Sequence, residues 1–397
     1  MRRDRRHPVS SALAWVGNGA FLAVVGSYLF GYFQAVDGHF EEGAGILVGR
    51  DFAVFWSAAV LTAGGHVSQL YDPGAFRAAL GDLLAYDALY YTWTHPPHAL
   101  LVALPLAALP YLWALAAWSL VGVAAYLAVT RKPALLCAPS TAMCLFFGQT
   151  GLLAGAAYLG ALALLRRHPV LAGVGIGLIS VKPHLGVLIP VALLAARAWR
   201  TFASAALTVL GGMSLSVLAF GWEAWRVWLL DALPHQASLL AGFHSWTMVS
   251  AFSGARIAGW PTWAAWLAQA PFSLLAVFAT WWAFSRLRRG LVSETSAFGV
   301  LLLATAIATP YLFVYDLALV GPVVLWALAS WRRRAERLRD LGECALWLVV
   351  WTLPILGMTI GSAFVPFYSV VLLAALLLSL RHAARDGEFA RAGNQGR

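Results

Sequence analysis

The fold is decided by the stretch LAGVGIGLISVKPHLGVLIPVALLAARAWR, residues 171–200. Before its terminal arginines, this stretch carries only Lys182 and His184 as ionisable groups. A helix needs about 20 mostly apolar residues to cross a bilayer, and Pro183 interrupts the helical pattern half-way along. The stretch therefore predicts two membrane-embedded helices that meet at a break within SVKPH, residues 180–184.

The composition of the whole chain also indicates a membrane protein. The 397 residues are 61% hydrophobic and 11% charged, with a mean hydropathy of +0.75. Soluble domains carry about 25% charged residues, so a large soluble helical protein is excluded. The net charge of +10 comes from short basic clusters between apolar runs, as the positive-inside rule expects. Because no nucleic-acid-binding motif accompanies these clusters, we expect no nucleic-acid partner.

We predict an all-α, polytopic membrane bundle with about a dozen transmembrane helices, some of them paired in hairpins. The predicted apolar segments are 12–33, 98–130, 134–148, 150–165, 169–197, 201–221, 262–284, 297–330, 344–361 and 364–381. We expect residues 1–381 to form a single integral-membrane domain, and residues 382–397 to form a loosely ordered cytoplasmic tail. Within segment 98–130, Pro110 could mark either a tight hairpin or a kink.

The basic clusters predict the topology. Residues 2–6, 166–167, 197–200, 286–289 and 332–339 are assigned to the cytoplasm. The N-terminus is then cytoplasmic, and the turns at 180–184 and 309–316 face outward, as do the loops 34–97 and 222–261. We expect a multi-pass protein of a bacterial-type plasma (inner) membrane, with its active site on the periplasmic or extracellular side.

The first outer loop, 34–97, predicts juxtamembrane helices. In DFAVFWSAAVLTAGG, residues 51–65, the aromatic positions recur at helical spacing and two glycines end the helix. This helix should lie on the membrane with one apolar face. In YDPGAFRAALGDLL, residues 71–84, Asp72 is placed to cap a second helix and Pro73 to occupy its first turn.

Polar residues that fall on the predicted outer face are candidates for function, because ionisable groups in lipid-embedded sequence are rare. They are Arg50, Asp51, His95, His98, Gln149, Lys182, His184, His244, Arg256 and Asp316. An outer cavity with a carboxylate, several cations and surrounding apolar helices suits a substrate whose tail stays in lipid.

Several candidates also have a structural interpretation. Asp51 could cap its helix or act as a general base, and Lys182 could reach for the interface or bind a phosphate. Gln149 could link two helices, and Asp316 could pair with a basic neighbour. The arginines at 50 and 256 could contact lipid headgroups. The three cysteines are typical of core positions. We predict no metal site, and the alternative is a divalent ion bound by the candidate residues.

The order of DFAVFWSAA, LYDP, THPP, GQTG and the lysine segment resembles glycosyltransferase family 87, whose members use polyprenyl-phosphate sugars. The resemblance covers residues 49–200 well and extends loosely to 330. It implies a GT-C fold, with Asp51 as the catalytic base and with Gln149 and Lys182 at the family's glutamine and lysine positions. The chain departs from the family pattern at THPP, in the segment before Arg256, and around Asp316.

We therefore expect a hexosyltransferase that moves a sugar, with mannose favoured, from a polyprenyl-phosphate donor to an envelope glycolipid or glycan. Inversion at C1 follows from one in-line displacement. Lys182, Arg256 and His244 would bind the donor phosphate, other candidates would line the cavity, and no cofactor is expected. This chemistry requires Asp51 and Lys182 to share one outward-facing pocket. A transporter or flippase of lipid-linked saccharides and a non-catalytic scaffold are the alternatives.

Overall fold

The computed structural model describes residues 41–42, 46–85, 91–242, 247–332 and 338–395, together with positions 19, 23 and 26. The predicted span 12–33 lies outside the described residues except at those three positions. Apart from one antiparallel pair of two-residue strands, Glu41–Glu42 and Ile46–Leu47, all regular structure in the described ranges is helical. The prediction of an all-α fold is confirmed.

Four helices among the described residues are long and apolar enough to cross a membrane. They are Tyr111–Thr130, Trp199–Phe220, Thr262–Arg288 and the Val365–Arg385 part of Val365–Gln395. Trp199–Phe220 leaves Leu207 and Leu218 exposed, the latter to 83%. Leucine side chains exposed to this extent favour hydrocarbon over water. The chain is therefore a membrane helical protein.

The remaining helices are shorter, apart from Leu338–Ile360, which has 23 residues and contains Pro354. The α-helices are Phe52–Ala63, Val67–Leu70, Pro73–Leu84, Ala99–Ala103, Pro139–Phe146, Gly151–Leu164, Pro169–Leu178, Pro183–Gly186, Ile189–Ala196, Trp222–Val227, Leu233–Gly242, Ala251–Ile257, Glu294–Ala308, Gly321–Arg332 and Leu338–Ile360. The 3₁₀ turns are Leu104–Ala108, Pro133–Cys137, Ile179–Val181, Val314–Leu319 and Ser362–Phe364, and Trp228–Ala232 is a π-helical turn. The total of about a dozen crossings stays a prediction.

The predicted helix breaks are confirmed where proline or a polar segment marks them. Lys182 leaves the helical conformation between Ile179–Val181 and Pro183–Gly186. A second break separates Glu294–Ala308 from Val314–Leu319. At Pro110 the chain is extended, so Tyr111–Thr130 begins as a new helix and is not the continuation of a kinked one.

The chain forms two compact units, each described separately below. The first contains Met1–Leu153 and Val209–Leu240, and the second contains Ala154–Thr208 and Ala241–Arg397. The single domain over residues 1–381 stays a prediction. The tail after Arg381, which we expected to be loosely ordered, continues the helix Val365–Gln395.

In the second unit, the side chain of Gln269 caps the C-terminus of a neighbouring helix. This residue is buried within Thr262–Arg288, and its Nε2 donates to the carbonyls of Ile307 at 2.9 Å and Ala308 at 3.3 Å. Its Oε1 accepts from the Phe252 amide at 3.2 Å. Carbonyls at a helix C-terminus have no intrahelical partner, so Gln269 satisfies groups that Glu294–Ala308 leaves open.

The segment after that helix is held by a short extended pairing. Val249 N donates to Leu312 O at 3.0 Å, and Val314 N donates to Thr247 O at 2.8 Å. Together with the cap from Gln269, these bonds hold both ends of the segment 309–314. The turn Val314–Leu319, which carries Asp316, therefore begins at a defined place in the second unit.

Candidate active site

The first part of the candidate site is the turn at residues 49–51, which we call the GRD turn. Gly49 and Arg50 both have positive φ, 78° and 45°. The turn delivers Asp51 to the start of the helix Phe52–Ala63. Asp51 lies there in a helical conformation, and its side chain makes no capping hydrogen bond to that helix. Capping therefore does not account for Asp51.

Asp72 shows what a capping aspartate looks like in the same loop. Its side chain accepts from the Ala75 amide at 2.9 Å, with Pro73 in the first turn of Pro73–Leu84. Both features were predicted from the sequence and are confirmed. The two aspartates thus precede helices of equal length, and only Asp72 serves its helix by capping.

Asp51 is instead bound by Gln149. The Nε2 of Gln149 donates to Oδ2 of Asp51 at 2.8 Å, although the residues are 98 positions apart. Gln149 lies in the GQTG loop, residues 148–151, and also lines a small cleft with Trp118 and Leu152. The structure therefore brings together two residues that the sequence analysis had named separately.

Gly148 makes this contact possible. Its φ is +59°, and a Cβ at this position would lie 2.4 Å from Phe52 Cβ and 2.7 Å from Gly49 O. The carbonyl of Gly148 accepts from Trp118 Nε1 at 3.2 Å. The GQTG loop can therefore lie against the GRD turn only with glycine at this position.

Two further side-chain hydrogen bonds anchor the residues on either side of the GRD turn. The hydroxyl of Tyr111 donates to Val48 O, and Trp56 Nε1 donates to Leu109 O at 3.0 Å. Trp118 and Tyr111 both belong to the helix Tyr111–Thr130. Sequence reasoning missed these anchoring roles, because aromatic residues in an apolar run give no sign of which distant carbonyl they will bind.

The helix Phe52–Ala63 differs from the one-sided surface helix that we expected. Nine of its 12 residues are buried. Phe55 packs edge-on against Trp93, with ring centroids 5.9 Å apart, and Phe52 lies 5.6 Å from Tyr111. Even Ser57 is fully buried. The helix is covered on most sides because its small and aromatic residues let neighbouring segments of the first unit pack around it.

Arg50 points its guanidinium at an aromatic pair. Its Cζ lies 3.9 Å from the ring centroid of Phe146 and 5.6 Å from that of Phe147. A cation over an aromatic face is stabilised by the ring quadrupole. Arg50 therefore holds the GRD turn against the helix that ends just before the GQTG loop.

The histidines at 95 and 98 are in aromatic surroundings. The His95 ring lies 5.0 Å from Phe55, and the buried His98 ring stacks on Trp225 at 5.7 Å. Among the described residues, no group of three or more His, Cys, Asp or Glu could hold a metal ion. Within the described part of the chain, Cys137, Cys144 and Cys344 are not joined in disulfides.

Tyr71 is a further ionisable group near His95. Its hydroxyl lies 3.4 Å from the His95 carbonyl and accepts from Trp93 Nε1 at 3.3 Å. Burial raises the pKa of Tyr71 well above its usual value, although the hydrogen bond from Trp93 lowers it. Tyr71 therefore stays protonated at neutral pH and does not compete with Asp51 for the role of base.

The second unit carries an ionic cluster at the KPH break, residues 182–184. Lys182 Nζ donates to Asp316 Oδ1 at 2.8 Å, and the two side chains are only 6% and 0% exposed. His184 Nε2 lies 3.6 Å from the other carboxylate oxygen, and the Tyr315 ring lies 4.9 Å from the ammonium. Lys182 is thus buried and paired and does not reach for the interface. Asp316 pairs with a basic neighbour, as one of its two interpretations proposed.

Of the other two phosphate-binding candidates, only Arg256 is described, and it is not part of this cluster. Arg256 donates through Nε to Ala241 O at 2.7 Å and through Nη1 to Trp260 O. Its guanidinium therefore ties two backbone segments together. His244 lies outside the described residues. The convergence of Asp51 and Lys182 in one cavity stays a prediction.

Comparison with known proteins identifies the family. The family model described as glycosyltransferase family 87 matches residues 93–310, more than half of the chain. This chain belongs to glycosyltransferase family 87. The suspected family is confirmed, and the protein is a membrane glycosyltransferase. The matched segment of the transferase includes Gln149 and Lys182 but neither Asp51 nor Asp316. No curated protein and no solved structure matches the chain.

Proposed function

We propose that this transferase moves a hexose, with mannose favoured, from a polyprenyl-phosphate donor to an envelope glycolipid or glycan on the outer face of the membrane. Asp51 is the general base. The observation that carries this assignment is the state of its carboxylate, which is half-buried, does not cap its helix, and is bound by Gln149. A half-buried carboxylate that does not cap its own helix suits proton transfer to and from a substrate.

The reaction is a single displacement. The acceptor hydroxyl gives its proton to Asp51 while its oxygen forms a bond to C1 of the donor sugar. The bond from C1 to the phosphate oxygen breaks, and the lipid phosphate leaves with the electron pair. Because attack and departure occur on opposite faces, the configuration at C1 inverts. General-base assistance of this kind contributes about 10²–10⁴-fold to a rate.

The departing phosphate gains negative charge, so a fixed cation should stabilise it. We assign this role to Lys182, with His184 in support. The carboxylate of Asp316 holds the Lys182 ammonium at 2.8 Å in a buried setting. Because the ammonium is already held in place, little free energy is needed to reorient it when negative charge develops on the phosphate. Arg256 is left out of the assignment because backbone carbonyls occupy its guanidinium.

The test is turnover by purified protein in detergent or nanodiscs. We expect the wild type to release polyprenyl phosphate from polyprenyl-phosphate mannose when a glycolipid acceptor is present. Asp51→Asn should lower kcat by about 100-fold or more while the thermal unfolding temperature stays the same. Asp72→Asn is the matched control, because asparagine caps a helix as well as aspartate does. This variant should keep both stability and rate.

Near-normal turnover by folded Asp51→Asn protein would contradict the base assignment. Release of polyprenyl phosphate from the glucose donor but not from the mannose donor would correct the sugar. Passage of intact lipid-linked saccharide across a liposome membrane without any product would contradict the proposed transfer reaction.

A further inference from the structure

The contact between Gln149 and Asp51 has features that a purely structural link would not need. Gln149 Nε2 donates to the carboxylate at 2.8 Å. Its Oε1 is buried and has no hydrogen-bond partner within the described part of the chain. A buried acceptor without a partner destabilises a fold. A methionine or leucine side chain would fill similar space without that cost.

The orientation of the amide is determined by its partner. Turning the carboxamide over would place Oε1 against Oδ2, and two acceptors would then face each other. The Nε2–H group is therefore the end that the site requires. The loop around it is constrained as well, since Gly148 has a positive φ and its carbonyl accepts from Trp118. Backbone conformation and side-chain chemistry both direct one N–H at the carboxylate.

We infer that Gln149 is a positioning residue for Asp51: its carboxamide holds the carboxylate in one orientation and favours its ionised form. This inference rests on the proposed function, in which Asp51 takes the proton of the acceptor hydroxyl. A hydrogen bond donated to a carboxylate stabilises the charged form, and a base held in one rotamer needs no reorganisation when the acceptor arrives. The chain therefore keeps glutamine at this position, although the unpartnered Oε1 lowers its stability, because the reaction needs the Nε2–H group.

The decisive variant is Gln149→Met, which keeps the length of the side chain and removes both the donor and the unpartnered acceptor. We expect kcat to fall about 10- to 100-fold with KM for polyprenyl-phosphate mannose nearly unchanged. The unfolding temperature should stay the same or rise. The acidic limb of the kcat profile should move to higher pH, because the carboxylate loses a hydrogen bond that favours its charged form. Gln149 is neutral, so its replacement leaves the nearby charge of Arg50 in place.

Two controls separate positioning from packing. Ser57→Ala removes another buried polar atom without a described partner, in the helix that follows Asp51. It should change neither kcat nor the pH profile. In the Asp51→Asn background, Gln149→Met should cause little additional loss, because residues that act as a unit are not additive.

The outcomes are distinguishable. If Gln149→Met lowers the unfolding temperature and kcat together and leaves the pH profile in place, Gln149 is a structural link and the inference is wrong. Normal kinetics in Gln149→Met beside an inactive Asp51→Asn would also overturn the inference while leaving the proposed function intact. Normal kinetics in Asp51→Asn itself would instead refute the proposed function.

Discussion

Glycines with positive φ appear in two different roles in the first unit. Gly65, just after the helix Phe52–Ala63, has φ +80° and open space around its Cβ position. Gly148 has φ +59° and lies against Phe52 and Gly49. The first glycine is needed for backbone conformation alone. The second is needed for conformation and for the close approach that brings Gln149 to Asp51.

This difference makes Gly148→Ala a test at the residue scale. A left-handed conformation costs an alanine roughly 1–2 kcal/mol, and the added Cβ would also meet Phe52 at 2.4 Å. The GQTG loop must move away, so we expect kcat to fall about tenfold or more. Gly65→Ala carries a similar backbone cost without a clash and should keep its rate. Parallel transfer assays and thermal unfolding of the two variants check this, and equal rates would contradict it.

At the scale of secondary-structure elements, Asp316 links two helix breaks. Asp316 lies in the turn Val314–Leu319, and its carboxylate accepts a hydrogen bond from Lys182 of the KPH break. Both breaks expose backbone groups that a continuous helix would satisfy. A buried ion pair between them gives each break a defined partner within the second unit.

Removing one partner of this pair should be costly. Lys182→Met leaves a fully buried carboxylate without its cation, which typically destabilises a protein by about 3–5 kcal/mol. The double variant Lys182→Met/Asp316→Leu should recover most of that stability, because an apolar pair of similar volume can replace a buried ion pair. It should not recover transfer, since the cation for the phosphate is lost.

Unfolding in detergent measures this effect, with Arg166→Met as the matched control. Arg166 pairs with Glu294 at 3.2 Å, with side chains 76% and 43% exposed. Exposed pairs contribute about 0–1 kcal/mol, so this variant should unfold near the wild type. If the double variant were as unstable as Lys182→Met alone, the ion pair would not be the reason for the loss.

The elements were predictable from sequence wherever their signals are local. Asp72 caps its helix by a hydrogen bond within the first turn, and Pro73 occupies that turn. The length of an apolar run indicates which helices can span a membrane. The pairing of Gln149 with Asp51 was not predictable, because it joins positions 98 residues apart. The all-round burial of Phe52–Ala63 was also missed, since the aromatic residues that cover it come from other elements.

At the scale of the whole molecule, the basic clusters predict which loops face the cytoplasm. Ser68 and Arg167 are both exposed, and we place Ser68 outside and Arg167 inside. In a variant whose three cysteines are replaced, Ser68→Cys should react with a membrane-impermeant maleimide added to intact cells. Arg167→Cys should react only after the membrane is permeabilised. The reverse pattern would place the GRD turn on the cytoplasmic side and refute an outward-facing site.

The cap that Gln269 gives to Glu294–Ala308 bears on how variants of this protein should be ranked. A hydropathy scale penalises this glutamine in Thr262–Arg288, because polar side chains are unfavourable in a membrane helix. Its amide never meets lipid, because it is buried against the carbonyls of Ile307 and Ala308. Protein engineering guided by hydropathy would therefore select a destabilising substitution here. The residues that position 269 tolerates depend on the carbonyls of the neighbouring helix, which need a hydrogen-bond donor.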